Sequence, residues 1–147
     1  MDRKGRVWVP EPVLSSDIED CLRTLLSLEG FSLTPQRAHG ETGVDIIASK
    51  DNHSHYIEVI GYKRSPPVRA KDFYEGFFRT VSRLNDGARS CVLALSHRAC
   101  KGLPARAGQH REAWKRIADA FPELEIWLVD TEKDIYRRSS WGEWAER

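Results

Sequence analysis

Long apolar runs are missing from this chain of 147 residues. None approaches the ~18 consecutive apolar residues that span a bilayer, so no membrane attachment of that kind is expected. The start, Met1-Asp2-Arg3-Lys4-Gly5-Arg6, lacks the apolar centre of a signal peptide. Cysteine is scarce and odd in number: Cys21, Cys91 and Cys100 show no paired spacing, which argues against a disulfide framework. A reducing, cytoplasmic setting is the expectation. No glycine-rich phosphate cradle is present, so no nucleotide cofactor is expected. His53 and His55 have no nearby cysteine or third histidine at ligand spacing, and read as turn residues rather than a zinc site. Internal repeats and low-complexity segments are absent as well. What remains is an ordinary globular composition, 40% apolar and 31% charged, in a chain of single-domain length.

The charge is unevenly placed. Net charge is +1. Residues 1–60 carry 6 basic and 10 acidic side chains, residues 61–116 carry 13 and 4, and residues 117–147 carry 4 and 8. A basic centre between acidic ends is a candidate polyanion-binding face, with a solvated surface as the plainer alternative.

The pattern predicts a helix starting at Ser16, with Glu19 at capping-box spacing, Ile18, Cys21, Leu22, Leu25 and Leu26 on one face, and Gly30 as its stop. Before it, Val7-Trp8-Val9 with Pro10 and Pro12 reads as an extended arm (residues 1–15). Phe31 to Thr34 begins a first strand, and Gln36 to Thr42 is a polar connection. Gly43 to Ala48 and Tyr56 to Lys63 read as two neighbouring strands around turn residues 51–54. Ser65-Pro66-Pro67 is expected to interrupt regular structure. A helix from Lys71 to Leu84 follows, with Tyr74, Phe77, Phe78, Val81 and Leu84 facing the core. Ser90 to Leu95 is a strand covered on both faces. Arg98 to Gly108 reads as a basic loop, Gln109 to Phe121 as a helix, and Leu124 to Val129 as a last strand ending at Asp130. The tail, residues 136–147, holds Trp141 and Trp144, which either pack on the body or stack on a partner. The order implies an α/β sandwich with a mixed sheet, its strand–helix–strand segments parallel.

Two acids sit inside apolar strands, Asp45 after Gly43-Val44 and Glu58 between Ile57 and Val59. Burying a carboxylate costs several kcal/mol unless it is compensated, so paired acids on adjacent strands suggest a divalent metal. Held by one or two carboxylates, Mg²⁺ activates water and offsets charge on a phosphate. A cap on neighbouring backbone is the plainer role for Asp45, and an edge position in solvent for Glu58.

The element order, with Gly43-Val44-Asp45 followed by Ile57-Glu58-Val59, resembles the restriction-endonuclease-like PD-(D/E)xK nuclease superfamily, nearest to Mrr-type and Holliday-junction-resolvase-like domains. Ile18-Glu19 with Leu25-Leu26 and Gly30-Phe31, Gly40-Glu41-Thr42-Gly43-Val44-Asp45-Ile46, and Tyr62-Lys63-Arg64-Ser65-Pro66-Pro67-Val68 carry the likeness, which spans about residues 16–135. It implies a restriction-endonuclease-like three-layer α/β/α sandwich with a central mixed β-sheet. It further implies a DNA endonuclease dependent on Mg²⁺ (or Mn²⁺), with Asp45 and Glu58 as catalytic metal ligands and Glu19 assisting. DNA would be the partner, and a homodimer is the form in which many relatives cut both strands. One position departs: Ile60 stands where the family places its lysine, two residues after the second acid. Lys63, or Lys71 at the start of the next helix, would have to supply it. The basic stretch would grip phosphates through Lys63, Arg64, Arg69, Lys71, Arg98, Lys101 and Arg106. The departure leaves a second expectation open, a catalytically inactive module of this fold that binds nucleic acid or assembles with a partner.

Overall fold

The computed structural model describes residues 5, 11–38 and 41–146. The expected arm at Val7-Trp8-Val9 and the glycine at position 40 lie outside them. Helix α1 spans Ser15–Leu28 and is followed by β1 (Ser32–Leu33), β2 (Ile46–Lys50) and β3 (His53–Val59). Helix α2 (Pro66–Val81) leads through a 3₁₀ turn into β4 (Cys91–Ser96). A second 3₁₀ turn (His97–Lys101), α3 (Gly102–Gln109) and α4 (Arg111–Ala120) precede β5 (Leu124–Asp130) and β6 (Ile135–Ser140). A last 3₁₀ turn covers Gly142–Glu146.

The six strands form one mixed sheet in the order β1-β2-β3-β4-β5-β6. Both crossovers, β3 to β4 through α2 and β4 to β5 through α3 and α4, join parallel neighbours, and the remaining pairs are antiparallel. Strand β4 is buried at all six positions, as expected of a parallel strand covered on both faces. Its alternate residues feed two separate cores. Val92 and Ala94 pack with Ile18, Leu22 and Leu26 of α1, while Leu93 and Leu95 pack with Phe73 of α2, Leu103 of α3 and Trp114 of α4. Helices therefore cover both faces of an α/β fold.

Several local expectations are corrected. Pro66 and Pro67 do not interrupt structure but open α2 at its first two positions, where the missing N–H would have no intrahelical partner anyway. The face that α2 turns inward is Phe73, Gly76 and Thr80; Tyr74 and Phe78 are exposed. The segment from Arg98 to Gly108 is helical rather than a loop. No side chain caps α1: its N-cap is Leu14, and the expected Ser16–Glu19 box is replaced by an ion pair of Glu19 with Arg23 at 2.8 Å. The turn between β2 and β3 is tighter than expected. Asp51 and Asn52 carry it at φ 52° and 64°, the left-handed pair of a type I′ hairpin turn, and His53 and Ser54 already belong to β3.

The sheet also continues past residue 135, since β6 takes in the start of the expected tail. Trp141 and Trp144 are buried, so they are core residues and not a stacking surface. Trp141 lies on Trp114 with ring centroids 3.8 Å apart, and each indole N–H donates to the other residue's backbone carbonyl, at 2.8 and 3.0 Å.

Candidate functional site

The ladder of β2 and β3 pairs Ile46 with Ile57. One step further, Asp45 comes opposite Glu58, on the face covered by α2. The two carboxyls are near enough to act on one another. Asp45 precedes the strand, and its Oδ2 accepts the Val59 N–H at 2.8 Å, while Arg37 pairs with its Oδ1. Glu58 is 2% exposed. Burial, and then the nearby Asp45 carboxyl, push its pKa up to about 7, against the opposing pull of Arg79 and Arg83. Both acids are thus brought together, and neither stands in solvent. Two carboxyls that cannot both ionise cheaply in a sheet interior are the usual mark of a working site rather than of a stabilising one.

Glu19 does not join them. It is held by Arg23, which in turn donates to the Thr34 carbonyl at 2.6 Å and the Asp45 carbonyl at 3.0 Å. Glu19 therefore orients the chain leading into Asp45 through an arginine. Among the described residues no group of three His, Cys, Asp or Glu side chains is placed to share an ion. The donor set nevertheless fits Mg²⁺, which takes one or two carboxylates and keeps several waters. A cation between Asp45 and Glu58 would offset the burial and the Asp45 charge that together hold Glu58 protonated.

The arginines about the acids were not singled out by the sequence. Arg83 Nε stands 3.6 Å from Glu58 Oε1, and Arg79 acts on Glu58 at longer range. The Nε atoms of Arg37 and Arg83 are buried without a hydrogen-bond acceptor. The only signal was their positions, Arg79 three residues after Gly76 and Arg83 a turn later on the same helical stretch.

Ile60 occupies the face of Glu58, two residues on, and is 7% exposed. Gly76 makes room for it: a Cβ there would lie 2.8 Å from Ile60 Cγ2 and 3.1 Å from Leu93 Cδ1. Gly76→Ala is therefore expected to destabilise the protein by about 1–2 kcal/mol in urea unfolding, overpacking outweighing the ~1 kcal/mol that alanine gains in a helix. Ile60→Leu, which removes the branched methyl, should recover most of that loss. A Gly76→Ala protein as stable as the parent would show that the contact is soft.

Comparison of the chain with protein-family models, curated proteins and solved structures finds no match. The geometry alone carries the reading.

Of the two candidate lysines, Lys63 lines a cleft of about 230 Å³ with Ser15, Val59, Ile60, Asp72, Glu75 and Arg79. Lys71 instead points to solvent and pairs with Glu75 at 3.8 Å. The basic stretch is partly engaged in structure. Arg64 pairs with Glu11 and Arg98 with Glu132. Arg69 donates to the carbonyls of Lys63 and Arg64 and lies 4.7 Å over the Tyr62 ring. Arg106 lies over Phe73 and Tyr74, and Lys101 is exposed.

Other reactive side chains are accounted for. Burial pushes the Cys91 thiol up to about 11, and Cys100 makes no hydrogen bond to His97 among the described residues. Ser90 Oγ donates to Glu125 at 2.8 Å, so the Nδ1 of His55, 2.7 Å away, must be the donor to that oxygen. With its proton given to a carboxylate, Ser90 is not set up as a nucleophile.

Proposed function

We propose that this chain is a restriction-endonuclease-like domain that binds DNA and hydrolyses its phosphodiester bonds with a divalent cation, Mg²⁺ or Mn²⁺. The observation that carries the reading is the buried Asp45–Glu58 pair, two acids in cross-strand register whose mutual repulsion a cation would relieve. Helices on both sides of a mixed sheet, with two parallel crossovers, agree with it.

Asp45 and Glu58 would hold the ion, which when bound supplies Lewis acidity and a more acidic water. The Val59 amide fixes one Asp45 oxygen, so that residue presents a constant orientation. Arg37 would release its hold on the other oxygen as the cation takes over Asp45's charge. Arg37 and Arg83 would add positive charge beside the pair, favourable to phosphate oxygens. Lys63, in the adjoining cleft with Arg79, is the amine that would steer the attacking water or a flanking phosphate.

A second reading, a non-catalytic nucleic-acid-binding module, is favoured by two observations. Ile60 is packed against Gly76 where the amine is expected, and an arginine already neutralises Asp45. Incubation of supercoiled, linear and branched DNA with the protein, with and without Mg²⁺ or Mn²⁺, separates the two. Nicking is expected only with the cation, and Lys63→Ala should slow it by about 10²-fold or more, the scale of a lost proton-handling group. Salt-sensitive DNA binding without cleavage, and without any shift of the unfolding midpoint on adding the ion, would establish the binding module instead.

A further inference from the structure

Beside the cleft that holds Lys63 lies a second cavity, of about 180 Å³. It shares Ile60 and Gly61 with the cleft and opens at the carboxyl ends of the parallel strands β3 and β4, a placement that commonly binds ligands in α/β sheets. Its floor is apolar, made by Ile60, Phe73, Leu95 and Leu103, and its wall carries Arg69, Arg98 and Arg106. Among the described residues no carboxylate lines it.

Arg98 is neutralised by Glu132. Arg69 and Arg106 have no carboxylate partner among the described residues. Each instead lies over an aromatic ring, Arg69 over Tyr62 at 4.7 Å and Arg106 over Phe73 at 4.9 Å. Arg69 also spends one terminal nitrogen on the Lys63 and Arg64 carbonyls, both at 2.8 Å, which anchors the guanidinium and leaves its other N–H groups for an acceptor. Arg106 also donates to the Tyr74 hydroxyl at 3.3 Å, and that hydroxyl meets His110 Nε2 at 2.9 Å. Ser96, 4% exposed, adds a further donor: its Oγ accepts the Arg98 N–H at 3.2 Å, and its own proton has no acceptor among the described residues.

We infer that this cavity binds a phosphomonoester dianion. Two unneutralised, pre-oriented guanidinium groups and a buried hydroxyl match a group carrying close to two negative charges and three acceptor oxygens near pH 7. The cavity is smaller than the roughly 300 Å³ at which whole small-molecule ligands begin to be enclosed. It therefore takes the phosphate and leaves the rest of the ligand outside. A recess of that kind admits the end of a strand more readily than an internal diester, which must continue on both sides. The inference rests on the nuclease reading for its use, since a strand end held here would run past Ile60 and Gly61 toward the acids. The anion binding itself stands on the cavity.

The test is binding in EDTA at one fixed salt concentration, using the full chain and end-labelled single-stranded oligonucleotides. The same sequence is compared with a 5′-phosphate, with a 3′-phosphate and with hydroxyls at both ends. A preference of ~10-fold or more for one phosphorylated end is expected, the scale of one or two charge-assisted hydrogen bonds. Arg69→Gln and Arg106→Gln should reduce it to within about twofold. Arg106→Lys, which keeps the charge and the packing stem, should lose most of it as well, because the planar fork is gone. Asp45→Ala should keep the preference while losing cleavage, so failure of the cavity and failure of the cutting site are told apart. Deoxythymidine monophosphate and inorganic phosphate are added as competitors. Displacement by the mononucleotide at the affinity of the phosphorylated strand would make a free nucleotide the ligand, and weak displacement makes it the strand end. Equal affinity for all ends in the parent protein, or an end preference that survives both glutamine variants, overturns the inference.

Discussion

Replacing Glu58 with glutamine should stabilise the metal-free protein above neutral pH and, at the same time, abolish cation-dependent cleavage. The sign follows from the proton count. In the folded chain Glu58 keeps its proton up to about pH 7, whereas the unfolded chain releases it near 4.5. Between those values the folded state binds more protons, so stability falls as pH rises through the window and stays low above it. At ~1.4 kcal/mol per pH unit the loss comes to about 3 kcal/mol. Glutamine has the size of glutamic acid and nothing to ionise. Urea unfolding in EDTA should therefore find parent and Glu58→Gln alike near pH 4 and the variant more stable at pH 8. A difference independent of pH would show that Glu58 does not hold its proton. Because an amide oxygen is a poor ligand for Mg²⁺ compared with a carboxylate, cleavage should drop to the metal-free background. A side chain kept at a cost to stability, and needed for turnover, is a functional one.

The largest loss of stability is expected at Trp141. Its ring fills the gap between Trp114, Phe73 and Phe77, with centroids 3.8, 5.9 and 5.1 Å away, and it is 2% exposed. Trp141→Ala removes that volume and leaves the Trp114 carbonyl without its donor. A cost of about 3–5 kcal/mol follows from truncation of a buried aromatic, enough to unfold a domain of ordinary stability. Trp141→Phe keeps most of the ring and loses only the hydrogen bond, which should cost about 1–2 kcal/mol. Midpoints from urea unfolding monitored by tryptophan fluorescence check both. A Trp141→Ala cost below that of Trp141→Phe would mean that the last turn packs only loosely.

Apart from α3, the helix–strand alternation was readable from residue 16 to residue 130 because apolar periodicity reports burial directly. Strand β4 and the α1 stripe of Ile18, Leu22 and Leu26 are where that signal was clean. The pairing of Asp45 with Glu58 was readable too, since an acid inside a β-branched run is costly to bury without a partner. What misled was local chemistry whose meaning depends on context. Two prolines can stop a helix or open one, and at Pro66 they open it. Tyr74 and Phe78 look apolar by type, yet α2 turns the smaller Gly76 and Thr80 inward because Ile60 and Leu93 already fill that space. Glycines and Pro104 made residues 98–108 look like a loop, although a proline in the first turn of a helix costs nothing. Arg37, Arg79 and Arg83 could not be found as partners of the acids, because long side chains meet across the fold and carry no sequence period.

The sheet ends on one side with the two residues of β1 and on the other with β6, which presents Arg137 and Arg138. A two-residue strand offers too few free backbone groups to recruit another. Arg137 contacts Glu143, and Arg138 lies over the rings of Trp127 and Tyr136. A second strand laid along β6 would have to accommodate both. Such borders protect against sheet-to-sheet growth. Growth of the sheet across either border is thereby disfavoured, leaving the strands free to hold the acids in register.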